Sequence, residues 1–203
     1  MSQPSGFIPP CLPSKAERPP SGPDWVHEIK LDGYRLMLRR DGLRIRCFTK
    51  NGHDWADRFP AIVDAALRLK SASCLIDGEA VVLDGDGTSD FSALRLLSRE
   101  AVLVAFDLLE LDGEDVRGLS LIERKRRLKT LLRPGGEWRA IQYSDHLTGD
   151  GAAIFGHVCK LGLEGIVSKR VDSPYRSGPS RTWLKSKNPD SEAVRRERED
   201  EWR

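Results

Sequence analysis

The sequence predicts an α+β fold in which antiparallel β-sheets carry helices on their outer faces. Two patterns predict it. Residues 25–50 alternate apolar and polar side chains as hairpin strands do, whereas residues 58–70 place apolar side chains at helical spacing. Strands and helices of these two kinds interleave as far as residue 187. The chain has 203 residues, of which 39% are hydrophobic and 32% charged, so it is long enough for one domain with a buried core.

The N-terminal segment is the first element in order. Residues 1–24 contain seven prolines, which exclude a helix or the interior of a sheet and predict an extended arm lying on the surface. From Trp25 onwards, strands are predicted over residues 26–30, 34–40 and 43–50. Asp41 and Gly42 predict a two-residue hairpin between the second and third of these strands. Lys30 therefore ends the first strand.

Helices and further strands fill the rest of the predicted domain, which spans residues 25–188. Two short strands are predicted around a turn at Asp77–Gly78. Ser120 and Glu123 have the spacing of a capping box ahead of a basic helix that stops at Pro134–Gly136. The other predicted elements are helices over residues 58–70, 91–98 and 151–161, strands over 101–111, 164–170 and 181–187, and a charged helical tail over 189–203 with little to bury.

Composition restricts the class of function without deciding it. The net charge is +2, from 33 basic and 31 acidic residues, and neither requires nor excludes a nucleic-acid partner. Four cysteines without a C-x-x-C pair and four scattered histidines give no sign of a disulfide framework or a zinc site. No run approaches the roughly 20 apolar residues that span a bilayer, and no signal peptide is recognisable. We therefore expect reduced thiols, a cytoplasmic location and no membrane partner.

Lys30, in the segment EIKLDGYR, is the first candidate for chemistry. A lysine side chain has an unperturbed pKa of about 10.4, so a free one is a poor nucleophile at neutral pH. Partial burial at a strand end, or a neighbouring cation, favours the neutral amine. Lys169, Lys185 and Lys187 are available to supply that second positive charge. Taken alone, a lysine at a strand edge is most often an exposed surface residue.

Six short blocks in fixed order give Lys30 a context. They are EIKLDGYR, TKNG, LIDGEAV, VAFDLLEL, EGIVSKR and WLKSK. Together they resemble the motifs of the covalent nucleotidyltransferases, which comprise ATP-dependent DNA ligases, RNA ligases and capping enzymes. The likeness is strongest to the adenylation domain of bacterial ATP-dependent DNA ligases, including those of end-joining multidomain proteins, and runs from about Trp25 to Lys187. It implies the covalent nucleotidyltransferase (ATP-grasp-like) fold, with a nucleotide cleft between antiparallel sheets.

The resemblance implies a role for each matching position around ATP. Lys30 is the expected nucleophile, which attacks the α-phosphate and carries AMP as a phosphoamide. Glu28 is expected to recognise the adenine edge, and Glu79 to accept hydrogen bonds from the ribose hydroxyls. Phe106 matches the aromatic side chain that stacks on adenine, although core packing is the competing interpretation. Trp183 is expected in the core.

The resemblance also implies which residues face the metal ion and the phosphates. Asp32 and Glu164 match carboxylates that lie near Mg²⁺ or Mn²⁺, which prefer oxygen ligands. Lys169, Lys185 and Lys187 are expected to place positive charge on the triphosphate and on the charge that develops during transfer.

A third group of residues is expected to contact nucleic acid. Arg35 matches the arginine that contacts the phosphate at a nick, besides its place at the nucleotide. Lys50 stands where the ligase pattern usually has arginine, and a lysine cannot make the bidentate phosphate contact of a guanidinium. Arg181 is expected to add a further phosphate contact.

The end of the sequence departs from the complete enzymes of the family. About sixteen residues follow Lys187, too few for the five-stranded oligonucleotide-binding barrel that follows this domain there. Slow self-adenylation and a weak hold on duplex DNA are therefore expected. A partner that supplies the barrel, or another repair protein, is an expected associate.

Three hypotheses for function follow. The first is an ATP-dependent DNA-ligase-type adenylyltransferase that forms lysyl-AMP and acts on nicked duplex DNA in repair. The second is an RNA ligase, or a capping-type enzyme that uses GTP. The third is a non-sealing accessory module that binds a nick or a nucleotide. Labelling with ATP or GTP, and sealing of nicked DNA or RNA, separate the three.

Overall fold

The structure is a computed structural model that describes residues 6–85, 87–132 and 140–201. The described residues form ten strands, which are β1 Cys11–Lys15, β2 Trp25–Ile29, β3 Tyr34–Asp41, β4 Arg44–Thr49, β5 Ser73–Val81, β6 Val102–Leu111, β7 Glu114–Asp115, β8 Ile141–Tyr143, β9 Gly165–Arg170 and β10 Gly178–Lys187. The same residues form five α-helices, which are α1 Pro60–Leu67, α2 Phe91–Leu96, α3 Leu121–Leu131, α4 Gly151–Lys160 and α5 Glu192–Glu201.

Two β-sheets carry these elements. The smaller sheet has the strand order β1-β10-β9-β2, in which β1 runs parallel to β10 and the other neighbours are antiparallel. The larger sheet has the order β4-β3-β5-β6-β7 and is antiparallel, except that β8 adds in parallel beside β6. Helices α1 and α3 pack on the larger sheet and α4 on the smaller. The predicted α+β class is confirmed.

Strand β3 shows where the core lies, because it is buried on both faces. Side chains alternate along a strand, so Leu36 and Leu38 point to one side and Met37 to the other. Leu36 and Leu38 belong to the cluster under the helices of the larger sheet. Met37 belongs to a second cluster with Val26 and Trp183 of the smaller sheet. This second cluster fills the space between the sheets, and Trp183 is a core residue as predicted.

The segment from Lys30 to Gly33 joins the two sheets, since β2 belongs to the smaller sheet and β3 to the larger. The Lys30 amide donates to the Gly165 carbonyl oxygen at 2.9 Å, which extends the pairing of β2 with β9 by one residue. A Cβ atom on Gly33 would lie 2.3 Å from the Ala80 carbonyl oxygen. The close approach of β5 therefore requires glycine at this position.

The interpretation of the proline-rich segment as a surface arm is wrong for residues 11–15. These residues form β1 at the edge of the smaller sheet. Cys11 is buried, and its amide donates to Tyr175 Oη at 2.9 Å. Pro13 is tolerated because an edge strand leaves one side unpaired, and the register shifts between Pro13 and Ser14.

Asp77 and Gly78 do not form the predicted turn. They lie inside a single strand, β5, which pairs with β3 on one side and β6 on the other. A Cβ on Gly78 would lie 2.8 Å from the Val104 carbonyl oxygen, so the glycine serves close packing of strands, not a change of direction. The dipeptide Asp-Gly is a turn signal in exposed segments, and burial between two strands overrides it here.

The remaining predicted elements are present with shifted ends. The hairpin turn consists of Gly42 and Leu43, because Asp41 pairs with Arg44. Ser120 Oγ accepts from the Glu123 amide at 3.4 Å, as the predicted capping box requires. The predicted helix stop at 134–136 and the last two residues of the tail lie outside the described residues. Within the described part of the chain, no helix has the length and apolar content needed to cross a membrane.

Candidate active site

Most of the predicted site residues gather around a cavity of about 420 Å³ between the sheets, called the main cavity below. The predicted residues that line it are Glu28, Lys30, Arg35, Lys50, Glu79, Phe106, Lys169 and Lys185. A second cavity of about 330 Å³, the side cavity, shares Ile29, Lys30 and Leu31 with the main one. The predicted residues Asp32 and Glu164 line this side cavity. Lys30 therefore stands where the two cavities meet.

Lys30 is held by a carboxylate. Its ammonium nitrogen lies 2.6 Å from Glu164 Oε1, and its side chain is 23% exposed. Lys187 approaches the same oxygen at 3.7 Å. The lysine predicted beside Lys30 is therefore present as Lys187, with the Glu164 carboxylate between the two side chains.

Glu164 has two oxygens with different surroundings. Oε1 accepts from Lys30, whereas Oε2 is buried and has no hydrogen-bond partner among the described residues. Burial raises the pKa of the Glu164 carboxyl, and the nearby Lys30 and Lys187 oppose that rise. A buried oxygen without a donor suits a hard cation such as Mg²⁺.

The acidic groups fit a metal held largely by its substrate. Among the described residues, no group of three or more His, Cys, Asp or Glu side chains could hold a metal ion by itself. Glu164 and Asp32 line one cavity and interact electrostatically. One or two carboxylates with substrate phosphates are the usual protein site for Mg²⁺. In the structure Asp32 pairs with Arg196, at 2.5 Å between Oδ2 and Nη2.

Glu28 sits at the other end of the main cavity between two buried lysines. Its Oε1 accepts from Lys125 Nζ at 2.7 Å and its Oε2 from Lys169 Nζ at 2.8 Å. Burial opposes ionisation of Glu28, but Lys169 and Lys125 together hold the pKa of its carboxyl below the usual range. Ser144 Oγ also donates to Glu28, at 3.3 Å. The carboxylate is thus fixed in place and charged.

Lys169, which was predicted to face phosphates, lines the main cavity and pairs with Glu28. Its ammonium lies 4.3 Å from the centre of the Phe106 ring and 4.1 Å from that of Trp183, and is buried beside Glu28. Phe106 also lies edge-on to Trp183 and carries the Arg35 guanidinium 4.5 Å from its ring centre. Phe106 therefore belongs both to the core and to the cavity wall, and its stacking on adenine stays a prediction.

Lys125 was missed by the sequence reasoning, which assigned no site residue to the basic helix. It is 1% exposed and also donates to the Ser144 carbonyl oxygen at 2.9 Å. The signal was present in the spacing, because Leu121, Lys125 and Leu128 lie on one stripe of α3 and all are buried. A cation at an apolar-stripe position predicts a buried ionic partner.

A second network of hydrogen bonds holds Arg35 in place. Its Nε and Nη2 donate to the two oxygens of Asp77 at 2.6 and 2.7 Å. Tyr175 Oη donates to Asp77 Oδ2 at 2.6 Å and accepts from the Cys11 amide. Burial raises the pKa of Tyr175, and Asp77 raises it further. Asp77, taken as part of an acidic turn, is thus the residue that orients Arg35 towards the main cavity.

Glu79 follows Asp77 two residues along β5 and faces the same cavity. Burial raises the pKa of the Glu79 carboxyl to about 7, against the opposing effect of Arg35 and Lys30. Near neutral pH this carboxyl is therefore present in both protonation states. It can accept hydrogen bonds from hydroxyls in either state and can donate one when protonated.

Three further predicted positions complete the comparison. Lys50 is exposed at the rim of the main cavity, and Lys185 lies in its wall. Arg181 lies apart from both cavities, in a surface depression with Asp172 and Arg176. Asp107, which follows Phe106 on β6, lines neither cavity.

Asp107 instead forms a buried ion pair with Arg124. Arg124 Nε and Nη2 donate to its two oxygens at 2.7 and 2.8 Å. Arg124 Nη1 donates in addition to the carbonyl oxygens of Leu119 and Ser173. Arg124 lies in α3 and Asp107 in β6, so this ion pair joins the two elements. It therefore fixes their neighbours in sequence, Lys125 and Phe106, relative to each other.

The model of the ATP dependent DNA ligase domain matches residues 14–187. The chain is 42% identical over 186 residues to the multifunctional non-homologous end joining protein LigD of Pseudomonas aeruginosa, and covers 22% of that protein with 89% of its own length. It is 35% identical over 173 residues to the DNA repair protein LigD of Mycobacterium tuberculosis, with 84% of the chain matching 22% of that protein.

Two solved structures resemble the fold closely. Mycobacterial DNA ligase D complexed with ATP and MES superimposes with a TM-score of 0.75 and 31% identity, over 88% of this chain and 59% of that one. The ligase domain of M. tuberculosis LigD gives a TM-score of 0.74 and 32% identity, over 88% of this chain and 60% of that one. The predicted nucleotidyltransferase fold is thereby confirmed. With a family model that spans residues 14–187, the chain belongs to the ATP-dependent DNA ligase domain family.

Proposed function

We propose that this chain is an ATP-dependent adenylyltransferase of DNA-ligase type, which forms lysyl-AMP on Lys30 and acts on nicked duplex DNA in repair. One observation carries the proposal. Lys30, the motif lysine of a chain in this family, has its nitrogen at the meeting point of two cavities and 2.6 Å from a buried carboxylate. A nitrogen directed into bulk solvent would have excluded it.

The proposed arrangement of ATP follows the charges of the main cavity. Adenine lies at Glu28 and Phe106, the ribose at Glu79, and the α-phosphate at Lys30. Lys185 and Lys187 face the triphosphate. Lys169 is proposed to hold Glu28 in position, since its ammonium is buried against that carboxylate.

The first chemical step transfers AMP to Lys30. Glu164 Oε1 accepts the proton of the Lys30 ammonium and passes it to water, a role helped by the raised pKa of its carboxyl. The nitrogen lone pair then forms a bond to the α-phosphorus, the nitrogen releases its second proton to water, and the bond from that phosphorus to the bridging oxygen breaks. Its electron pair leaves with pyrophosphate. Asp32 and Glu164 Oε2 would hold Mg²⁺ or Mn²⁺, which supplies positive charge at the phosphates.

The proposed DNA contacts are phosphate contacts. Arg35 and Lys50 face the main cavity, while Arg181 would meet the duplex farther along. The chain spans 22% of the length of the LigD proteins named above, so a further domain or protein that helps to clamp the duplex remains part of the proposal. A cytoplasmic location is proposed because the relatives are named as bacterial end-joining or repair proteins.

Intact-mass measurement tests the first step. Incubation with ATP and Mg²⁺ should add one adenylyl group to the protein, and Lys30→Ala should remove that addition. Lys70→Ala, which alters an exposed lysine away from both cavities, is the matched control and should label as the parent does. An adduct that persists in Lys30→Ala contradicts the proposal, and preferential labelling by GTP favours a capping-type enzyme.

Transfer of AMP from the labelled protein to a nick tests whether DNA is the substrate. The labelled protein is mixed with nicked DNA and, separately, with nicked RNA, and loss of the adduct is followed by mass. Loss with DNA at low salt, falling steeply as salt rises, is expected because phosphate contacts dominate the affinity. A salt-independent response, or a preference for RNA, contradicts DNA as the substrate.

A further inference from the structure

The C-terminal helix is anchored next to the nucleophile. The Asn188 amide donates to the Glu164 carbonyl oxygen at 2.8 Å, and its side-chain amide donates to the Leu163 carbonyl oxygen at 3.0 Å. Ser191 Oγ donates to the Asn188 carbonyl oxygen, and both residues are buried. The turn after β10 is thus attached to the segment that carries Glu164, and α5 starts at the side cavity.

The first turn of α5 packs against the domain. Ala193 and Val194 are buried, and Ser191 Oγ accepts from the Val194 amide at 3.3 Å, which caps the helix. The prediction that the charged tail has little to bury is wrong for this turn. Arg196, two residues after Val194, lies in the lining of the side cavity.

Two contacts fix the orientation of the Arg196 guanidinium. Its Nη2 lies 2.5 Å from Asp32 Oδ2, and its guanidinium carbon lies 4.2 Å from the centre of the Phe91 ring. The side chain is 30% exposed, so water reaches the remaining part of the guanidinium. A planar fork with several N–H donors fits two phosphoryl oxygens at once, which a lysine cannot do.

The charges of the side cavity change during the proposed step. Among the described residues that line it, Lys30 and Arg196 are the cationic ones, facing Asp32, Asp90 and Glu164 among its acids. Once Lys30 bears AMP, its nitrogen is a phosphoamide and no longer an ammonium. Of the described lining residues, Arg196 is then the cation that faces a departing polyanion.

We infer that Arg196 binds the leaving pyrophosphate. Its guanidinium pairs with Asp32 in the structure. When a divalent cation and a triphosphate bind, Asp32 would turn to the cation and Arg196 to the phosphoryl oxygens. The inference rests on the proposed function for the identity of the anion. It makes α5 a functional part of the site, although its residues lie beyond the segment that matches the family model.

Binding of pyrophosphate itself tests the inference without requiring catalysis. Calorimetric titration with magnesium pyrophosphate is performed on the parent, on Arg196→Ala, and on Arg195→Ala, an exposed neighbour on the same helix. Arg196→Ala should weaken binding about tenfold or more, because a charge-assisted contact is lost. Arg196→Lys should recover part of the lost affinity. Arg195→Ala should bind as tightly as the parent. Equal binding by Arg196→Ala and Arg195→Ala overturns the inference, whether or not the protein labels with ATP.

Two kinetic measurements separate this role from a merely structural one. The lysyl-AMP protein is treated with magnesium pyrophosphate, and the concentration that half-reverses the adduct should rise about tenfold in Arg196→Ala. Transfer of preformed AMP to a nick involves no pyrophosphate, so its rate should stay at the parent value. Faster transfer in Arg196→Ala would mean that α5 blocks the DNA site, and slower transfer would mean general damage; either result contradicts the inference. An absent adduct in the parent is a failure of the proposed function instead.

Discussion

The two ends of the active site are built differently. At the base end, around Glu28, each charge is buried and has a charged partner, and Lys125 is 1% exposed. At the phosphate end, Lys30 is 23% and Asp32 22% exposed, and one oxygen of Glu164 has no partner among the described residues. The base end has one stable arrangement. The phosphate end has ionic groups whose partners can be replaced by a substrate.

The proposed arrangement of ATP would explain this difference. A nucleobase is recognised by fixed hydrogen-bonding groups, and fixing them in advance avoids an entropic cost on binding. A triphosphate changes its charge distribution during the reaction, so its binding groups must release one partner and accept another. Fully buried ion pairs would resist such an exchange, because breaking one leaves an uncompensated charge. Measurements of stability and activity therefore test whether the end around Glu28 is more rigid than the end around Lys30.

The largest effect on stability is expected at Lys125. Lys125→Met leaves Glu28 with one lysine fewer in a buried position, and the free energy of unfolding should fall by about 3–5 kcal/mol. Lys129→Met is the matched control, since Lys129 lies one turn along α3 and pairs with exposed Asp145, where a surface pair contributes about 1 kcal/mol or less. Urea unfolding measures both. Equal losses would show that the base end is not the rigid one.

The second effect concerns Glu79 and pH. Its pKa is raised to about 7 in the folded protein from 4.5, so the fold prefers the protonated form. The stabilising contribution is complete below pH 4.5 and is lost as pH rises to about 7, on the order of 3 kcal/mol in all. Glu79→Gln should remove this part of the pH dependence of unfolding. A variant whose stability declines over that range as steeply as the parent's would contradict the assignment.

Tyr175→Phe should have an intermediate effect on stability. It removes the hydroxyl that donates to Asp77 and accepts from the Cys11 amide, and both partners are buried. A loss of about 1–3 kcal/mol in unfolding free energy is expected from the unsatisfied groups. Guanidinium unfolding measures it. An unchanged midpoint would mean that Arg35 alone satisfies Asp77.

The smallest effect on stability is expected from Glu164→Gln at the phosphate end, although its effect on activity is large. Burial already opposes the Glu164 charge, and Lys30 and Lys187 remain partly hydrated without it. The unfolding free energy should change by about 1 kcal/mol or less. Self-adenylation should slow at least about 100-fold, because the proton acceptor and a metal ligand are lost. A large loss of stability would show that Glu164 is as rigidly held as the groups around Glu28. The two ends of the site would then not differ in this respect.

The parts of the site that could be predicted are those carried by short continuous blocks. Lys30, Asp32 and Gly33 lie in one such block, and its position at the junction of the sheets follows from the two strands around it. Lys125 could not be predicted in this way, because it reaches Glu28 from 97 residues away along the chain. Its helix has a charged sequence, and burial of its inner stripe depends on where α3 packs.

The same distinction explains the errors in the fold. Asp77–Gly78 is a turn signal by composition, and only the pairing of β5 on both sides makes it part of a strand. Residues 11–15 lie in a proline-rich segment, and only the open edge of β10 gives them a partner. Arg196 belongs to a tail without a recognisable motif, and its place beside Asp32 depends on the anchored turn at Asn188.

The amino-acid sequence by itself determined most of the strands and helices, the position of the proposed lysine nucleophile, and the family. These properties are local, since side-chain periodicity, turn residues and short motifs act over a few neighbours. The tertiary structure decided which charges became partners. Ion pairing in a protein depends on distance and burial, and both are set when segments distant in sequence pack together.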